Sequence, residues 1–361
     1  MVTLGASRWQ RSLHSLPRVG WQAAFLVGWL TVAVGLIKYG LGAYSGWGNL
    51  FHVTLNYEQP SLDPSQSFVL PNAGFAAALG ILGVQSSSTW ITVHVLIALA
   101  AITAPFFSAS VRNHSGRIRI LFIVLVGGPI LPVLLEWIGS YDPLTVLGLA
   151  LVALARRTSI QVLGWLLVGV GHAELGMLAA LLIITYRAIN ADKGLRLTGV
   201  VRGFLIAAPP LLVTYLTMRQ VVGIWGGATS RLDLALANPV DNAYKYALVM
   251  PAMLFSVLGI MWIIVLTKRE IRKRRSLSLV FIVLAISLTL PLFLHDHTRV
   301  LGILAYPLVL VWMLDLTPRQ CDRLWSRYSI AASIIPIPVF IAGTVMFGGV
   351  INFLTWRVVT A

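Results

Sequence analysis

Residues 159–186 read SIQVLGWLLVGVGHAELGMLAALLIITY, and the path of the whole chain turns on whether this stretch crosses a membrane once or enters and returns. Arg156 and Arg157 stand before it and Arg187 after it. Its middle, GVGHAELG at 169–176, sets Gly169, Gly171 and Gly176 around His172 and Glu174. Clusters of Lys and Arg collect on one side of a membrane, so both ends belong on the same side. Each half has about 12 residues and reaches about 18 Å at 1.5 Å per residue, well short of a ~30 Å hydrocarbon core. The stretch therefore reads as a broken hairpin whose apex carries His172 and Glu174 part-way through the membrane. Irregular polar backbone at that depth is tolerated only against protein or a wet cavity. The alternative is one long helix, with the topology reversed after it.

The composition says what kind of chain holds this stretch. Of 361 residues, 58% are hydrophobic and 11% charged, with a mean hydropathy of +0.85. That balance excludes a soluble globular domain. The apolar runs are continuous rather than alternating, which excludes a barrel and leaves helices, the other structure that satisfies its own backbone in lipid. The expected fold is an all-α, polytopic transmembrane helical bundle of about nine to eleven membrane helices, short or re-entrant ones included. Residues 1–361 form a single integral membrane domain in this reading.

A net charge of +15 invites a nucleic-acid partner, and the placement of the charge defeats that idea. The basic residues fall beside apolar runs: Arg8, Arg11 and Arg18; Arg112, Arg117 and Arg119; Arg156 and Arg157; the stretch 187–202; TKREIRKRRS at 267–276; and 319–327. Such clusters mark cytoplasmic loops and can touch anionic lipid head groups. Cys321, the single cysteine, lies in the last of them, so neither an internal disulfide nor a thiolate zinc site is expected.

With 1–20 cytoplasmic, a helix at about 21–44 exits; it is too long for a secretory h-region and is expected to be retained. An outer loop, 45–72, follows, and the short apolar piece 73–84 re-enters or lies at the interface. Then 89–109 returns, 118–138 exits and 143–155 comes back. Beyond the hairpin, 203–218 exits, 219–244 is an outer loop, and 245–267 returns to the basic loop 268–276. Finally 277–294 exits, 300–317 returns and 329–356 exits. Every basic cluster then falls on one side.

The few charges left on the other side are the candidates for chemistry. LPLFLHDHTRVLG, residues 290–302, squeezes His295, Asp296, His297 and Arg299 between two apolar runs. A helix starting at Asp296 puts His295, Asp296 and Arg299 on one face. Asp296 is then an N-cap or a catalytic carboxylate. Arg299 is a bidentate phosphate ligand, or the partner of Asp296 or Glu136. EWIGSYDPL, residues 136–144, ends one helix at Glu136 and sets Asp142 before Pro143. That is a cap signature and equally a recessed carboxylate suited to general-base work. His172 and Glu174 would diverge on a regular helix, but around a break both can line one cavity, and ionisable residues inside a membrane are functional candidates. Lys38 and Arg219 are placed to steer an anionic head group. The expected catalytic residues are thus Asp142, His172, Glu174 and Asp296, and the expected substrate-binding residues are Lys38, Glu136, Arg219, His295, His297 and Arg299. Nothing has the spacing of a zinc motif such as HExxH, so no metal and no cofactor are expected.

In its layout the chain resembles membrane glycosyltransferases of the GT-C type, and among them the bacterial O-antigen and exopolysaccharide polymerases. The local carriers are GHAELGMLAALLI at 171–183, after a basic-flanked short helix, and the arginine near the start of a late helix in HDHTRVLGILAYP at 295–307. The resemblance implies a polyprenyl-phosphate-linked sugar donor and a glycan or lipid acceptor at the outer face of a bacterial cytoplasmic membrane. It assigns phosphate binding to Arg299 and the base to His172 or Glu174. The loop 219–244 is shorter than the long periplasmic loop usual in O-antigen polymerases. A second class fits buried ionisable residues and broken helices as well: a transporter or flippase for an anionic or lipid-linked solute.

Overall fold

The computed structural model describes residues 17–43, 46–62, 67–191, 196–227, 274–289, 297–317, 337–341 and 344–348, with scattered positions within 240–262 and 320–335. It is a polytopic helical bundle. Its helices are α1 (Pro17–Tyr39), α2 (Trp47–Leu55), α3 (Gly74–Ile81), α4 (Ser87–Phe107), α5 (Ser115–Val126) and α6 (Ile130–Glu136). They continue with α7 (Asp142–Leu154), α8 (Thr158–Asn190), α9 (Arg196–Ile224), α10 (Arg274–Thr289) and α11 (His297–Asp315). Gly20–Tyr39, α4, α8 and Leu197–Ile224 are each long and apolar enough to cross a membrane. The pair α5 and α6, bent by 62°, makes a fifth such path. This is a multi-pass membrane protein.

The helix α8 holds the decisive feature. By length it is one 33-residue span, but His172 interrupts it with φ −156° and ψ 84°. The chain folds back there. A Cβ added to Gly176 would stand 2.5 Å from Val168 Cγ1, although eight residues of straight helix rise about 12 Å. Gln161 and Trp165 of the first arm line the same cavity as Ile183 and Arg187 of the second. The arms, 158–171 and 173–190, therefore run antiparallel and return both ends to one side. The His172 imidazole caps the second arm, its Nδ1 accepting from the Leu175 N–H at 3.4 Å, a geometry in which the capping side chain satisfies an orphan donor of the first turn.

Small residues let this hairpin sit close to its neighbour. A Cβ on Gly148 of α7 would meet Gly164 O at 2.6 Å, and one on Gly164 would meet Gly148 O at 2.7 Å. The two backbones touch reciprocally, which side-chain-free positions permit and which drives association inside lipid.

The helix ends sort by charge. Arg117 donates to Leu314 O at 2.7 Å, Ser110 to Leu154 O at 3.1 Å and Tyr186 to Arg275 O at 3.4 Å, and Arg275 pairs with Asp315 at 3.3 Å. One end of the bundle thus gathers Arg117, Arg156, Arg187 and Arg275, from four separate segments. The opposite end holds the finish of α1 and α6, the start of α7 and α11, and the hairpin apex. A parallel bridge between Ala43 and Ile138 ties two of these together.

Several expected boundaries move. The first helix ends at Tyr39, where Gly40 takes φ +79°. The outer loop 45–72 contains α2 and a 3-10 turn, Ser67–Asn72, because Leu50, Val53, Val69 and Leu70 have an apolar cluster to join. The stretch 118–138 is two helices, since Gly127, Gly128 and Pro129 interrupt it and the residue before a proline avoids the helical region. The helix expected at 203–218 runs from Arg196 to Ile224, so most of its extra length comes out of the loops beside it. Within 329–356, where a helix was expected, residues 331, 332 and 334 are helical, but β1 (Ile337–Ile341) and β2 (Thr344–Gly348) form two antiparallel strands, with Val339 opposite Met346. Pro336 and Pro338 remove two helix donors from that run, and β-branched residues favour the pleat. Most of 245–267 lies outside the described residues.

Candidate functional site

The start of α7 and the start of α11 meet at the end of the bundle away from the basic clusters. Asp142 and Arg299 are both buried there, with side chains 0% and 6% exposed. Arg299 Nη1 donates to Asp142 Oδ2 at 2.7 Å. The guanidinium also lies over the Trp137 ring, 4.5 Å from its centroid. A buried charge is costly unless paired, and this one is paired by a carboxylate and faced by an aromatic quadrupole. Asp142 Oδ1 has no hydrogen-bond partner among the described residues. Tyr306 Oη, two helical turns along from Arg299, and Tyr39 Oη are likewise buried without a partner among them. Orphan acceptors and hydroxyls of this kind call for a specific explanation.

The local sequence builds this arrangement. Pro143 presets the first turn of α7, and Asp142 is its first residue rather than its cap. The positive end of the helix favours the carboxylate, which is turned to Arg299 instead of back to the backbone. Ser140 Oγ accepts from the Asp142 N–H at 3.2 Å. Gly139 has φ +88°, and a Cβ there would meet Trp90 and Trp47 within 3 Å, so the turn into α7 requires glycine. The carboxylate found against Arg299 is Asp142, 157 residues earlier, where Glu136 or Asp296 was expected; Asp296 itself lies outside the described residues.

Of the remaining expected residues, those that the structure describes are not gathered into one constellation. His172 is buried and meets the Tyr141 ring edge-on at 5.3 Å, one residue from Asp142. Glu174 is exposed. The helix resumes at 173, after the non-helical backbone of His172, and leaves the imidazole buried and the Glu174 carboxylate exposed. Glu136 ends α6 half-buried, within electrostatic reach of Tyr39. Arg219 is exposed on the last turns of α9. His295 and Asp296 lie outside the described residues, as does the side chain of His297.

Lys38 is inside the bundle rather than at a surface. It is 3% exposed, and its Nζ donates to Val126 O at 2.9 Å and Ala332 O at 3.0 Å. The ammonium thus satisfies the carbonyl at the end of α5, where the helix breaks. Lys38→Met is expected to lower stability by about 1–3 kcal/mol, because it leaves buried carbonyls unpaired. The check is thermal unfolding of the purified protein in detergent. An unchanged midpoint with weakened substrate binding would return Lys38 to the binding role.

The composition hid one cluster altogether. Trp90 and His94 stack at 3.9 Å, with Phe51 and Trp47 about one ring further out and Phe75 edge-on to His94. Trp90 Nε1 donates to Thr54 Oγ1 at 3.0 Å, and His94 Nδ1 lies 2.9 Å from Trp90 O. The signal was the four-residue spacing of Trp90 and His94 on a helix. Among the described residues no three His, Cys, Asp or Glu side chains converge as metal ligands.

The chain matches no protein-family model, no curated protein and no solved structure.

Proposed function

We propose that the protein is a membrane glycosyltransferase or polysaccharide polymerase that uses a polyprenyl-phosphate-linked sugar at the end of the bundle holding Asp142 and Arg299. The observation that supports this most is their buried pair, with one carboxylate oxygen left over. The basic clusters at the opposite end support a cytoplasmic placement of that end. In this reading the membrane is the bacterial cytoplasmic membrane, the N-terminus is cytoplasmic and the site faces outward.

The chemistry follows from the two groups. A donor phosphate competes with Asp142 for the guanidinium, which offers a planar fork matched to phosphate. Asp142 is then free to accept the proton of the acceptor hydroxyl as the new bond from acceptor oxygen to sugar carbon forms. The bond from sugar carbon to phosphate oxygen breaks, and its electron pair leaves on the lipid phosphate, where Arg299 stabilises the charge. His172, behind Tyr141, positions the α7 entrance and the hairpin apex.

Deletion of the gene in its host is expected to remove a surface polysaccharide, read as loss of the glycan ladder or polymer on a gel of cell-envelope extract. An unchanged glycan profile sinks the proposal. The hairpin favours a second reading, carriage of an anionic or lipid-linked solute past a broken helix. Solute flux into proteoliposomes without a covalent product distinguishes it.

A further inference from the structure

At the basic end, the two arms of α8, the end of α7 and the start of α9 enclose a cavity of about 460 Å³. Its polar lining is Arg156, Arg187, Arg202 and Gln161, and its apolar wall includes Trp165 and Ile206. No acidic side chain lines it among the described residues. Asp315, the described acid within electrostatic reach of Arg187, is already paired with Arg275 at 3.3 Å. Gln161 Nε2 is committed to Ala155 O at 2.8 Å, and Arg202 makes a long contact, 3.4 Å, with Thr158 Oγ1. The positive potential reaches past the cavity. His114, in the loop ahead of α5, is held below its ordinary pKa first by burial and then by the charges of Arg117 and Arg156.

We infer that this cavity binds the phosphate head group of an anionic lipid from the leaflet at the basic end. Three arginines, all of them exposed, line this one space and offer charge-assisted donors that phosphate oxygens satisfy. Basic pockets between membrane helices on the cytoplasmic side are suited to such head groups. A lipid, rather than a free phosphate ester, is indicated by the surroundings. The cavity opens between membrane helices and its own wall, Val152, Trp165, Ile183, Ile184 and Ile206, is apolar, which suits the first segments of acyl chains below a head group. Gly199 has nothing within 4 Å of a Cβ position, which keeps the gap beside the arginines open. The head group would bridge the hairpin's second arm to α9. The site is at the opposite end of the bundle from Arg299, so it stands whether or not the proposed glycosyl transfer does.

The test is native mass spectrometry of the full-length protein from detergent, titrated with phosphatidylglycerol, phosphatidylcholine or glycerol 3-phosphate. The expected result is saturable binding of phosphatidylglycerol, with the other two far weaker. The variant Arg187→Gln/Arg202→Gln is expected to weaken that binding about thirtyfold, at roughly a factor of five per basic residue. Arg157→Gln, an equal charge change beside the cavity but not lining it, is expected to change it less than twofold. Lipid-free unfolding midpoints matching wild type show that each variant is folded. Equal binding of phosphatidylcholine, equal loss in Arg157→Gln, or no loss in the double variant overturns the inference. Saturation by glycerol 3-phosphate at the same concentration overturns the lipid source and leaves a soluble phosphate ester in its place.

Discussion

Arg299→Ala is expected to cost about 3–5 kcal/mol of stability, because it strands the Asp142 carboxylate in a buried site without its partner. Both side chains are almost fully covered, so water cannot take over. The folded yield in detergent should fall steeply, as measured by size-exclusion of a fluorescently tagged protein and by its unfolding midpoint. Arg299→Lys keeps a charge but loses the fork and the stacking on Trp137, so it should recover only part of the loss. The informative variant is Arg299→Met with Asp142→Leu. Replacing a buried ion pair by apolar residues of similar size is often neutral or better, so folded yield should return. Glycan product should not. Recovery of product in that double variant would make the pair purely structural and remove the chemical basis of the proposed transfer.

A second large effect is expected at the contact of α7 with the hairpin. Gly148→Val places side-chain atoms where Gly164 O now sits, and a backbone atom cannot turn aside as a flexible side chain can. The expected cost is about 3 kcal/mol, at the upper end of what overpacking usually brings. Gly164→Val should match it, since the approach is reciprocal. Gly223→Ala, also in a helix but with nothing within 4 Å of its Cβ position, should instead be neutral or stabilise by up to about 1 kcal/mol. Unfolding midpoints in one detergent decide it. If Gly148→Val and Gly223→Ala shift the midpoint alike, the close backbone contact does not hold the bundle together.

The same two places show what the residue string makes legible. The hairpin could be read because it is encoded locally: arginines at both ends, glycines in the middle and arms too short to cross. Asp142 and Arg299 could each be picked out because charge is rare in this chain, with only 12 acidic residues. Their pairing could not, since nothing local joins residues 157 positions apart, and Pro143 made capping an equally good use of Asp142. Lys38 shows the reverse failure. A lysine at a helix end looks like a surface anchor, and only the packing of the break at Gly127–Pro129 and of Ala332 alongside gives it carbonyls to bind. His172 and Glu174 looked alike in composition, yet the restart of the helix at 173 sends one inward and the other out. The strands at 337–348 were hidden by hydropathy, which counts apolar residues without regard to the prolines among them.

The fold-back at His172 also makes α8 silent in the parity of the chain. A segment that leaves a surface and returns to it adds an even number of passes, so whatever follows starts from the face it would have started from anyway. Arg187 and Arg202 therefore reappear beside Arg156, around one cavity. Excising 158–191 would leave every later helix pointing as it does now. Excising α4, which is long and apolar enough to cross, would instead turn the later described helices over and carry Arg275 to the other face.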